Sequence, residues 1–116
     1  MTSIFLYDTT LRDGSQREDI SLSVEDKLTI AHRLAAFGMH YLECGSPGTN
    51  PKDADFFARA NRMNLPARLA AFGRTRHANT HCENDANLRA LIDAGTPAVT
   101  LVGKSWDYHV SHVLKT

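Results

Sequence analysis

Four short apolar runs alternate with four stretches of helical spacing. This alternation limits the possible folds more than any other feature of the chain. Residues 4–7, 39–44, 67–72 and Ala98–Val102 read as strands. The first is continuously apolar, which predicts a strand buried on both faces. Ser23 caps a first helix over Val24–Phe37, with Glu25 and Asp26 in the turn where the helix dipole favours carboxylates. Val24, Leu28, Ala31, Leu34 and Ala35 form its apolar stripe, and Gly38 ends it. Asn50 caps a second helix that begins at Pro51 and carries Phe56, Ala60 and Met63 inward. Asn84 or Asp85 caps a third, with Leu88, Leu91 and Ile92 on its apolar side and Gly95 closing it. Ser105 caps a fourth, with Trp106 anchored in the core beside Val110, Val113 and Leu114.

Strand, loop and helix in strict alternation predict parallel strands joined by crossover helices. Four units over residues 4–114 take roughly 28 residues each, so eight would approach the ~250 residues of a (β/α)8 barrel. The expectation is therefore an α/β fold: a TIM (β/α)8 barrel of which only the first four units are present, a half barrel. A four-unit open sheet is the competing architecture. Either way, polar residues gather just after the strand ends: Arg12 and Asp13, Glu43, Arg74 and Thr75, and Lys104. That is the face where parallel α/β folds place their sites. The last helix has no glycine, proline or polar tail after it. A truncation is therefore expected there, with residues 4–116 the N-terminal half of a barrel that continues.

Composition narrows the class. Thirteen basic residues balance thirteen acidic ones, which excludes the basic footprint of a nucleic-acid binder. No apolar run approaches the ~20 residues of a membrane span, and the first residues lack the pattern of a signal peptide. Two cysteines are too few for a disulfide framework, so free thiols in a cytoplasmic protein are expected. His77, His81 and Cys82 read as a solvated loop rather than a zinc site, and the stretch 45–48 as a turn rather than a phosphate cradle.

Arg12 and Asp13 stand where a strand gives way to a turn, beside Gly14. There, adjacent side chains can converge on one site. Arginine supplies a cation for a substrate oxygen or carboxylate, and aspartate supplies a hard oxygen ligand for a divalent metal. An ordinary ion pair in a loop is the alternative.

The run Asp8-Thr9-Thr10-Leu11-Arg12-Asp13-Gly14-Ser15-Gln16 resembles the signature of the α-isopropylmalate synthase/homocitrate synthase/HMG-CoA lyase superfamily (the DRE-TIM metallolyases). These are TIM-barrel enzymes that make or break carbon–carbon bonds. Ser21-Leu22-Ser23-Val24-Glu25-Asp26-Lys27-Leu28, Gly45-Ser46-Pro47-Gly48-Thr49-Asn50-Pro51-Lys52-Asp53 and Val102-Gly103-Lys104-Ser105-Trp106-Asp107 are similar to the citramalate synthase branch. The resemblance implies a Claisen-type condensation of acetyl-CoA with an α-keto acid, pyruvate for this branch, leading to isoleucine. It implies a divalent metal (Mg, Mn or Zn), acetyl-CoA as co-substrate, and a homodimer for the full-length protein. 2-Isopropylmalate or homocitrate synthesis is the alternative within the family. A non-catalytic half-barrel assembly module is the alternative of another class. By the same resemblance Arg12 is the catalytic and substrate-binding arginine, Asp13 the metal ligand, and Gln16 and Glu43 substrate-binding residues. The family's His-x-His metal pair does not occur in these residues, so the chain alone is expected to be inactive.

Overall fold

The computed structural model describes residues 2–116. Four parallel strands form one sheet in the order β1-β2-β3-β4: β1 (Tyr7–Asp8), β2 (Tyr41–Gly45), β3 (Arg68–Arg74) and β4 (Ala98–Val102). Between them lie α1 (Val24–Phe37), α2 (Pro51–Ala60) and α3 (Ala86–Asp93). Sequential order with crossover helices puts all three helices on one face of the sheet. The core lies there, where Leu42 and Cys44 of β2 and Leu69 and Ala71 of β3 meet Ala31, Ala35, Phe56, Phe57 and Leu91.

The start signals act as their chemistry predicts. The Ser23 side chain accepts from the Asp26 amide while Asp26 accepts from the Ser23 amide, each at 3.0 Å, a complete capping box. Gly38 ends α1 with φ +115, a conformation that side chains resist. Asn50 caps α2. Of the two candidates for α3, Asp85 is the cap: its Oδ1 accepts from the amides of Asn87 and Leu88 at 2.9 and 3.0 Å.

Two packing details fix the end of β2. The register against β3 slips by one residue between Glu43 and Gly45, a bulge just past Glu43. Beside it, Lys27 and Asp53 are both buried and meet at 2.5 Å, and Asp53 also accepts from the Ser46 amide at 2.9 Å. A Cβ at Gly45 would lie 2.5 Å from the Asp53 carboxyl carbon, so only glycine lets the strand end approach this close.

Three expectations are corrected. The first strand is not buried on both faces: it pairs only at Tyr7–Asp8, and Ile4 and Phe5 are exposed. It is an edge strand, and among the described residues no further strand lies beyond it. Met63 and Ile92 are exposed too: Met63 lies past the end of α2 and Ile92 in the last turn of α3, while Phe57 takes the core position beside Phe56. The last segment is a π-helical turn, His109–Leu114, that buries no residue. Trp106 is 58% exposed; its ring lies tilted against Tyr108 and edge-on to His109. Ser105 is not its cap; Asp107 accepts from the Tyr108 amide instead.

Candidate active site

The loop after β1 is wound tightly by its own backbone. The Thr9 carbonyl takes the amides of Arg12, Asp13 and Gly14 at 3.2, 2.9 and 3.1 Å. The Asp8 carboxylate accepts from both the amide and the hydroxyl of Thr10, each at 3.0 Å. The Ser15 hydroxyl donates to the carbonyls of Leu11 and Arg12, and the fully buried Leu11 side chain pins the turn to the core. Arg12 therefore leaves a rigid base.

Its guanidinium reaches the end of β2. Arg12 Nε donates to Glu43 Oε1 at 2.6 Å, and the guanidinium carbon lies 3.9 Å above the Phe72 ring of β3. Glu43 is only 3% exposed, so its charge needs such a partner. Its other oxygen, Oε2, accepts from the Tyr7 hydroxyl at 2.6 Å. Tyr7 in turn lies 2.5 Å from the hydroxyl of Thr100 on β4. Burial and the neighbouring carboxylate push the Tyr7 phenol up to about 12, so it keeps its proton at ordinary pH. Tyr7, Glu43, Phe72 and Thr100, one from each strand, thus form a cluster on the face opposite the helices.

The predicted residues do not all converge. Arg12 and Glu43 do. Asp13 turns outward, with its side chain 68% exposed and 3.5 Å from Arg12 Nη1. The ion pair that the adjacency of Arg12 and Asp13 suggests is therefore the weaker of two; Glu43 is the main partner. Gln16 is exposed on a 3-10 turn, Gly14–Gln16. Arg74 and Lys104 are exposed as well, and Arg74 lies near His77 rather than near Arg12. Cys44 is buried behind β2, and burial pushes its thiol up to about 12, which removes it as a nucleophile.

As a metal donor set the site is partial. Glu43 is taken by Arg12 and Tyr7, and Asp8 by Thr10. Among the described residues no three His, Cys, Asp or Glu side chains come together to hold a metal. Asp13 keeps an accessible carboxylate and fits a divalent cation as one hard oxygen ligand. Water, substrate or further protein would supply the rest of the ~6 ligands that magnesium takes.

Tyr7, Phe72 and Thr100 were missed from sequence. Each sits inside an apolar run that reads as core. The available signal was strand alternation, which puts Tyr7 and Thr100, the hydroxyl-bearing members of those runs, on the face away from the helices.

A family model described as HMGL-like matches residues 3–116. The chain belongs to this family. HMGL-like relatives include a protein named (R)-citramalate synthase from Aquifex aeolicus (strain VF5), 54% identical over 114 residues, covering 97% of this chain and 22% of that protein. Another of the same name, from Geobacter sulfurreducens, is 51% identical over 116 residues, covering 99% of this chain and 22% of its own. A protein named 2-isopropylmalate synthase from Prochlorococcus marinus (strain MIT 9301) is 36% identical, over 97% of this chain and 20% of its own. The chain thus spans about a fifth of the length of the curated relatives it matches. No helix among the described residues is long and apolar enough to cross a membrane.

Proposed function

We propose that this chain is the N-terminal half of the catalytic (β/α)8 barrel of a citramalate synthase-type enzyme. The enzyme joins acetyl-CoA to pyruvate, in a reaction that serves isoleucine synthesis. The observation that carries the reading is the Arg12 guanidinium, fixed at the strand ends by a buried carboxylate and an aromatic face. The names of the Aquifex and Geobacter relatives support the choice of keto acid.

The acetyl-CoA methyl group loses a proton, the resulting enolate attacks the keto carbon, and the thioester is hydrolysed. As the new bond forms, negative charge gathers on the keto oxygen. Arg12 spends Nε on Glu43, which leaves the Nη groups, one of them 3.5 Å from Asp13, to donate towards that oxygen. Glu43 holds the guanidinium plane in place, and Phe72 backs it. Asp13 would hold the divalent cation, which when bound would polarise the keto carbonyl. Gln16 lies on the rim, where it can hydrogen-bond to the substrate carboxylate. The groups that take the methyl proton and complete the metal site belong to the remainder of the full-length protein, so residues 1–116 alone have no turnover.

The test is acetyl-CoA turnover by the full-length protein with pyruvate, 2-ketoisovalerate and 2-oxoglutarate in parallel. Pyruvate is expected to give the highest kcat/KM; preference for either of the others overturns the citramalate reading. In the same protein, Asp13→Asn should weaken divalent-metal affinity measured by calorimetry, and unchanged affinity would remove Asp13 from the ligand set.

A second reading is favoured by the open edges of the sheet, β1 and β4, and by the apolar residues exposed on them. In that reading the 116 residues are an assembly module whose edges pair with another copy. The reading frame after the Thr116 codon separates the two. Further strands and a His-x-His support the enzyme; an immediate stop codon supports the module.

A further inference from the structure

The cluster contains two residues that the proposed reaction does not use. We infer that Tyr7, backed by Thr100, is a positioning residue that fixes the Glu43 carboxylate and, through it, the Arg12 guanidinium. The inference rests on the reading of Arg12 given above.

Hydrogen-bond inventory fixes the direction. A carboxylate only accepts, so Tyr7 spends its single proton on Glu43 Oε2 at 2.6 Å. The Tyr7 oxygen must then accept, and the Thr100 hydroxyl donates to it at 2.5 Å. The result is a one-way chain, Thr100 to Tyr7 to Glu43, that ends on a carboxylate 3% exposed. Arg12 holds the opposite oxygen, also at 2.6 Å. Each Glu43 oxygen thus has one charged or hydroxyl donor, from a different strand or loop. With Arg12 alone the carboxylate could rotate about its terminal torsion, which is soft. With Tyr7 as well, that rotation breaks a short bond to a buried charge. The Tyr7 ring is itself steadied against Tyr41, with ring centres 6.0 Å apart and planes 30° from parallel.

Tyr7→Phe removes the donor and keeps the ring. In the full-length protein it should lower kcat about tenfold, the scale of losing one hydrogen bond to a charged group. The keto-acid KM should stay within about threefold, because Arg12 acts on charge that appears only in the transition state. Thr100→Val should lower kcat by about threefold, the scale of one neutral hydrogen bond, and Thr100→Ser should restore what Val loses. Because Thr100 acts only through Tyr7, the double variant Tyr7→Phe/Thr100→Val should match Tyr7→Phe alone. An unchanged kcat in Tyr7→Phe overturns the inference, as do single losses that multiply in the double variant. If the wild type turns over none of the three keto acids, the proposed function fails, and the crystal structure of Tyr7→Phe decides the positioning role. A Glu43 carboxylate displaced or rotated away from Arg12 Nε supports it; an unmoved Glu43–Arg12 pair overturns it.

Discussion

Gly14 and Gly45 both follow residues of the site, and the chain needs them for different reasons. Gly14 completes the motif that suggested a sharp turn, yet its backbone is not left-handed, and a Cβ there would meet nothing closer than the Thr10 side chain, at 3.8 Å. Gly45 reads in the sequence only as the start of a turn, yet a Cβ there would overlap the buried Asp53 carboxylate at 2.5 Å. Gly14→Ala is therefore expected to change stability by less than about 1 kcal/mol, and Gly45→Ala to cost about 2–3 kcal/mol, the scale of an overpacked core. Urea unfolding of the two variants checks this, and the reverse order would refute it. The same contrast marks what was legible. Arg12 and Asp13 stand out in the sequence because motif chemistry is local. The Glu43 partner of Arg12, the Asp53 partner of Lys27 and the Thr100 partner of Tyr7 lie 31, 26 and 93 residues away. Only the fold brings them together.

At the scale of elements, α1 and β4 fall on the bounds that their caps and spacing predict, because those signals are self-contained. The last segment does not. A helical stripe is informative only where a core faces it, and the sheet offers none to Trp106, Val113 or Leu114. The α1 capping box also sets a pH dependence. Hydrogen bonds from the backbone and side chain of Ser23 hold the Asp26 carboxyl below its usual range. A carboxyl lowered on folding stabilises the folded state fully above its unfolded value, near 4, and that support is lost as pH falls below it. Asp26→Ala, which removes the acceptor of the Ser23 amide, should destabilise the protein at neutral pH. The gap between variant and wild type should narrow as pH falls from 5 to 3. Thermal unfolding across that range measures it, and a pH-independent gap would rule out Asp26 as the origin.

The whole molecule is an open sheet with two unpaired edges. Ile4 and Phe5 are exposed beside one edge, and Val99 and Leu101 on the other. Exposed edges with apolar flanks pair with other chains. The isolated 116-residue chain is expected to self-associate at ~10 μM, within the range where such surfaces aggregate; sedimentation showing only monomer would contradict this. One contact also measures the shape of the sheet. In a flat sheet β1 and β4 lie three spacings apart, about 14 Å. Tyr7 and Thr100 stand on those two strands, yet their hydroxyls are 2.5 Å apart. Side chains rising straight from a plane would not close that distance. The sheet must bend towards them, so the phenol is the chord of an arc. The Arg12–Glu43 pair, bonded to the same phenol, sits on the concave side of that arc.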